Sequence, residues 1–119
     1  MKKFLKSFTY AFNGIAYAVK TQLSFQIECA ATIVVILLGC YLNLNRNEWL
    51  WIVLAISMVL VLELLNTALE VLVDLVSPDK NPKAGAIKDL ASGAVLIGAL
   101  FSIVVALFIF VPKLYAYAA

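Results

Sequence analysis

Residues 49–76, WLWIVLAISMVLVLELLNTALEVLVDLV, decide how this chain folds. No residue from Trp49 to Leu62 carries a charge, and then Glu63, Asn66, Glu70 and Asp74 follow at intervals of three, four and four. At about 100° per residue these four side chains fall within an arc of roughly 80° on one helix face, stacked over successive turns. Thr67 borders the same stripe. A segment this apolar reads as a membrane-crossing helix. At about 1.5 Å per residue it exceeds a hydrocarbon core of roughly 30 Å, so its last turns, with Asp74, are expected to project into water.

The same reading extends outward in both directions. Cys29 to Asn45 and Leu90 to Pro112 are also free of charge, and the chain is 65% hydrophobic with 13% charged residues, which excludes a water-soluble core. A first span is expected over 25–44, the second over 49–76 and a third over 86–111. The polar turn Asn43–Glu48 joins the first two, with Trp49 and Trp51 where an aromatic belt would stand. Ser77 to Gly85, with Pro78 and Pro82, separates the second from the third. Over residues 1–21 the lysines ahead of an apolar stretch, with Ala16-Tyr17-Ala18 behind, look at first like a signal peptide. Periodicity argues for an interfacial helix instead: Phe4, Phe8, Phe12, Ile15 and Val19 share one face, while Lys3, Lys6, Tyr10, Asn13, Tyr17 and Lys20 share another.

The expected fold is therefore an all-α membrane protein with three transmembrane helices and an N-terminal amphipathic surface helix, a single domain over residues 1–119. Lys2, Lys3, Lys6, Lys20, Lys80, Lys83 and Lys88 lie on one side of the spans, and only Arg46 and Lys113 on the other. The positive-inside rule puts the N-terminus and the Pro78 loop in the cytoplasm.

Some functions are set aside. A net charge of +2 from scattered lysines does not suit a nucleic-acid partner. Cys29 and Cys40, in one predicted helix about 16 Å apart, cannot pair within it and read as small packing residues. Without histidine or a CxxC spacing, a zinc or redox site has no support.

Acids within a membrane are costly and face a partner, a cavity or a substrate. Two carboxylates a turn or two apart, with an amide between, can hold magnesium and leave one carboxylate free to take a proton from a hydroxyl. That chemistry suits phosphoryl transfer, where the protein positions groups and neutralises charge. Lys88 and Asp89 open the third helix, with Ser92 a turn on, and Lys88 is a suitable counter-charge for ATP phosphates. There is no Gly-rich phosphate loop, so a nucleotide site must be built from helix faces and loops. The plainer alternative is that the polar residues only join helices by hydrogen bonds, but three acids on one stripe repel unless cations or protons compensate. Glu28, near the start of the first span, is open to function or to a role at the membrane interface.

Glu63-Leu64-Leu65-Asn66-Thr67-Ala68-Leu69-Glu70-Val71-Leu72-Val73-Asp74 resembles the signature of the prokaryotic diacylglycerol kinase and undecaprenol kinase family. The resemblance continues through Lys88 to Ile97 and, more weakly, through Lys3, Lys6, Tyr10, Gly14 and Phe25. It implies a homotrimer of three-span subunits in the bacterial cytoplasmic membrane, transferring the ATP γ-phosphoryl group to a lipid hydroxyl at the cytoplasmic face. Residue by residue, it implies Glu63 as general base on the lipid, Asn66 as polar support beside it, and Glu70 as magnesium ligand. Asp74, Lys88 and Asp89 would serve the ATP site, with Asp79, Lys80 and Asn81 beside the nucleotide and Lys3 and Tyr10 closing over it. Glu28 and Ser92 would lie by the lipid substrate.

One departure matters. The family usually has a second metal-binding glutamate where this chain has Gln22, whose amide oxygen can touch magnesium but brings no charge, so weaker metal binding and weak or lost activity are expected. Glu28 is a candidate to compensate. For the lipid, Glu28 resembles the diacylglycerol branch, whereas Phe110-Val111-Pro112-Lys113-Leu114 resembles the undecaprenol branch. Diacylglycerol giving phosphatidic acid leads, and undecaprenol giving its phosphate is the alternative. Two other classes compete: a transporter, whose usual mark is one isolated glutamate in the first span, and a catalytically silent relative, supported only by Gln22.

Overall fold

The computed structural model describes residues 1–119 as four helices: α1 Lys2–Thr21, α2 Leu23–Tyr41, α3 Arg46–Val76 and α4 Pro82–Ala118. There is no strand. α2, α3 and α4 are long and apolar enough to cross a membrane, and α1 is the separate N-terminal helix.

α1 buries only Ala18, and it leaves Phe4, Phe8, Phe12, Ile15 and Val19 exposed along one apolar face. An apolar face left largely exposed suits a helix lying in the headgroup boundary. It ends at Gln22, whose extended backbone redirects the chain into α2. Gln26 Nε2, from the first turn of α2, donates to the Val19 carbonyl at 2.7 Å, satisfying one of the free carbonyls at the end of α1.

α2 stops at Tyr41, three residues before the expected boundary. Asn43 adopts a left-handed φ of 53°, its N–H donates to Cys40, and the Leu44 N–H donates to Gly39. This paired reversal uses a residue type that tolerates the left-handed region. Gly39 is required there, since a Cβ would stand 2.7 Å from the Trp49 ring and 3.0 Å from Leu44.

α3 starts at Arg46 rather than Trp49, because Asn45 and Glu48 form a reciprocal capping box with two bonds of 2.9 Å. α4 starts at Pro82 rather than residue 86. Asn81 Oδ1 accepts from the Lys83 N–H at 2.9 Å, and Pro82 occupies a first-turn position where no N–H is needed.

The expected stop at Pro112 is corrected by the structure: α4 runs through Pro112 to Ala118. Proline removes one helix hydrogen bond, but the extension is tied down from outside. Lys113 Nζ lies 3.1 Å from Glu48 and 3.4 Å from the Asn43 carbonyl, and the Tyr117 and Tyr41 hydroxyls bond to each other.

The main packing is α3 against α4, with α2 on α3 and α1 touching both α2 and α3. The apolar core, Leu42, Leu44, Ile52, Ala55, Val105, Ile109 and Phe110, gathers toward the α2–α3 turn. The opposite end, which carries the acids, is left open. Only 15 of 119 residues are buried, and the radius of gyration is 17.6 Å. A compact soluble chain of this length would measure about 13–14 Å, so the rest of the apolar surface must be covered by lipid or by other subunits.

Candidate active site

α3 presents its polar stripe with a gradient of exposure. Glu63 is buried, Asn66 and Glu70 are half-buried, and Asp74 is exposed. The gradient follows from depth. Counted from Trp49 at about 1.5 Å per residue, Glu63 lies roughly 21 Å along the axis, Glu70 about 32 Å and Asp74 about 38 Å. Against a hydrocarbon layer of roughly 30 Å, the stripe crosses from the acyl layer into the aqueous boundary.

Within the stripe, Asn66 Nδ2 donates to Glu70 Oε1 at 3.2 Å, and Thr67 Oγ1 donates to the Glu63 carbonyl at 3.0 Å. Asn66 Oδ1 is buried and has no partner. On α2, the Glu28 carboxyl has its Oε2 buried and without a hydrogen-bond partner.

At the exposed end, Lys88 Nζ of α4 pairs with Asp74 Oδ1 at 2.7 Å. An open cavity of about 460 Å³ lies here, lined by Asp74, Ser77, Asp79, Lys80, Asn81 and Lys88 among others. Five residues that the family resemblance assigned to the nucleotide, Asp74, Asp79, Lys80, Asn81 and Lys88, thus share one wall. Ser77 was not foreseen in this wall; its Oγ donates to the Asp79 carbonyl at 3.3 Å, and a hydroxyl just ahead of the proline pair was the available signal.

Other expected residues stand apart. Asp89 and Ser92 are exposed on α4, Asp89 lies outside that cavity, and Lys3 is exposed on α1. Tyr10 lines a different space, an apolar groove of about 710 Å³ between α1 and α3 that includes Gly14, Ala18, Thr67 and Ala68. The groove was also unforeseen, although small residues at Gly14 and Ala18, one helical turn apart, were its signal. Gln22 sits at the α1–α2 junction and donates from Nε2 to Thr21 Oγ1 at 3.1 Å.

Within one chain, no three Asp, Glu, His or Cys side chains gather as a metal cage. Magnesium does not require one: it is held by one or two carboxylates together with substrate phosphates and water. Glu70, with the unpartnered Asn66 Oδ1 beside it, is an oxygen donor set that fits such an ion.

Fold and site together define a small helical membrane protein with an acidic site at one open end of its bundle. The sequence pattern of the prokaryotic diacylglycerol kinase family matches residues 9–110. The undecaprenol kinase of Bacillus subtilis is 42% identical over 114 residues, covering 96% of this chain and 93% of that protein. The diacylglycerol kinase of Synechocystis sp. is 39% identical over 111 residues, 92% of this chain and 63% of the relative. That of Escherichia coli K12 is 24% identical over 102 residues, 86% and 84% of the two chains. This chain belongs to the prokaryotic diacylglycerol kinase family. It is accordingly an enzyme, a lipid kinase, which draws its phosphoryl group from a nucleotide and passes it to a membrane lipid.

Proposed function

We propose that the enzyme transfers the γ-phosphoryl group of ATP to the hydroxyl of diacylglycerol, giving phosphatidic acid, with magnesium as the metal. The observation that carries this reading is the depth gradient of the α3 stripe. The burial of its one end supports an approach by a lipid hydroxyl there, and the exposure of its other end, beside Lys88 and the 77–81 loop, supports an approach by a water-borne nucleotide.

In this reading Glu63 takes the proton of the lipid hydroxyl as its oxygen attacks the γ-phosphorus, and the bond from that phosphorus to the bridging oxygen of ADP breaks. Asn66 holds Glu70 in place. Glu70 and Asn66 would hold magnesium, which when bound neutralises charge on the phosphate oxygens. Lys88 exchanges its bond to Asp74 for the phosphates, with Asp79, Lys80, Asn81 and Asp89 beside the nucleotide. Lys3 and Tyr10 close over it from α1. Glu28 and Ser92 contact the lipid. The active unit is a homotrimer in the bacterial cytoplasmic membrane with the acidic end in the cytoplasm. The openness of that end in one chain supports a site completed between subunits.

Undecaprenol is the second reading for the acceptor, favoured by the 42% identity to a relative of that name and by the Phe110–Leu114 ending. The test is purified protein in mixed micelles with magnesium and γ-labelled ATP, with diacylglycerol and undecaprenol offered side by side. Preferential labelling of diacylglycerol is expected. Preferential labelling of undecaprenol would transfer the assignment to the second reading, and no labelled lipid would leave the silent relative.

A further inference from the structure

The junction of α3 and α4 has a second opening beside the cavity proposed for the nucleotide. It is a groove of about 350 Å³ whose walls include Leu69 and Val76 of α3 and Lys83 and Ile87 of α4. The two spaces share Val73, Ser77, Asn81 and Ala84, but Asp74, Asp79 and Lys88 do not line the groove. At about 100° per residue, Leu69 and Val76 centre roughly 115° around α3 from the acidic stripe. No step of the proposed reaction uses this side.

Depth separates this groove from ordinary lipid-facing surface. Counted from Trp49, Leu69 lies at about 30 Å, the edge of the hydrocarbon layer, and Val76 at about 40 Å, at the outer edge of a headgroup layer roughly 5–8 Å thick. α4 agrees: Ile87 and Lys83 lie about 4 and 10 Å outside Leu90, where its charge-free run begins. Val76 is nevertheless 74% exposed and Ile87 43%. These apolar side chains stand beyond the reach of the hydrocarbon layer, and a cover other than the bulk acyl chains stabilises them.

The charge at the rim selects the cover. Lys83 has no acidic partner, since the ion pairs of the chain are Lys88 with Asp74 and Lys113 with Glu48. It stands one turn from Ile87 on the same face of α4, so its stem can follow the apolar wall while its ammonium stays at headgroup depth. An apolar inner end and one unpaired cation at the outer end match the order of chain and phosphate in an acidic phospholipid. The α1 helix of a second copy, the other apolar element at this depth, does not match: residues 1–27 carry four lysines and no acid. We infer that the groove binds an acidic glycerophospholipid of the leaflet at the acidic end of the bundle. Its phosphate pairs with Lys83, and its glycerol backbone and first chain carbons cover Leu69, Val76 and Ile87. This lipid is a bound partner, separate from the phosphoryl acceptor, and nothing is transferred to it.

The test places the purified enzyme in nanodiscs of equal parts phosphatidylglycerol and phosphatidylcholine, and native mass spectrometry then counts the lipids that stay bound. Wild type is compared with Lys83→Gln, Val76→Asn and, as a control on α1, Lys20→Gln. The wild type should retain phosphatidylglycerol over phosphatidylcholine by about fivefold, the effect of one lysine at an anionic surface. Lys83→Gln should lose that preference, Val76→Asn should retain less of both lipids, and Lys20→Gln should keep the wild-type pattern.

Equal retention of the two lipids by the wild type, a preference that survives Lys83→Gln, unchanged retention in Val76→Asn, or an equal loss in Lys20→Gln would each overturn the inference. The same spectra give the number of subunits. If Lys83→Gln and Val76→Asn change that number and leave the lipid bound per subunit as it was, a second copy covers the groove and the lipid assignment falls. None of these outcomes depends on which lipid accepts the phosphoryl group.

Discussion

Asn66 and Glu70 are joined one helical turn apart by a 3.2 Å hydrogen bond from the amide nitrogen, which leaves the amide oxygen of Asn66 buried and unpartnered. The bond fixes which way the amide points: its donor is used inside the protein, and its oxygen is left without a partner. Asn66→Ala removes both. The expected result is a rise of about tenfold or more in the magnesium concentration for half-maximal rate, as when a partner orienting a metal ligand is lost. A magnesium titration of the kinase rate checks it, and an unchanged midpoint would separate Asn66 from the metal.

Gln22 is where the chain departs from the pattern its family resemblance implies. A carboxylate there would add a charged oxygen to a hard cation that prefers such ligands. Gln22→Glu should therefore raise activity at low magnesium and lower the concentration needed for half-maximal rate. If the titration curve does not move, the α1–α2 junction does not reach the metal.

At the other end of the molecule Glu48 does two things, closing the capping box with Asn45 and pairing with Lys113. Lys113→Ala leaves the capping box intact, removing the ion pair together with the bond to the Asn43 carbonyl, and should cost about 0.5–1 kcal/mol, as for a half-buried surface pair. Glu48→Ala removes both and should cost about 1–2 kcal/mol. Thermal unfolding in micelles orders the two variants, and a larger loss for Lys113→Ala would contradict the roles assigned here.

The spans were legible because charge-free runs such as Trp49 to Leu62 and Leu90 to Pro112 are local facts of sequence. The stripe was legible for the same reason, since intervals of three and four turn directly into a helix face. What could not be read lies between helices. Pro112 looked like a stop because proline breaks a helix hydrogen bond, and only the ties from Lys113 to Glu48 and from Tyr117 to Tyr41 hold the last turns in register. Lys88 was read as a phosphate contact, and its pairing with Asp74 needed the α3–α4 packing. The start of α3 is a different case: Asn45 and Glu48 stand at capping-box spacing, but inside a polar stretch whose composition reads as turn.

The central claim is that the buried end of the α3 stripe performs the transfer with Glu63 as the base. Label transfer from γ-labelled ATP to lipid, measured for wild type and Glu63→Gln at saturating ATP, magnesium and lipid, tests it most directly, with ATP binding measured on the same samples. The account predicts that Glu63→Gln loses about 10²- to 10⁴-fold in rate and binds ATP nearly as the wild type does. A variant that keeps its rate, or one that loses ATP binding in step with its rate, would contradict it.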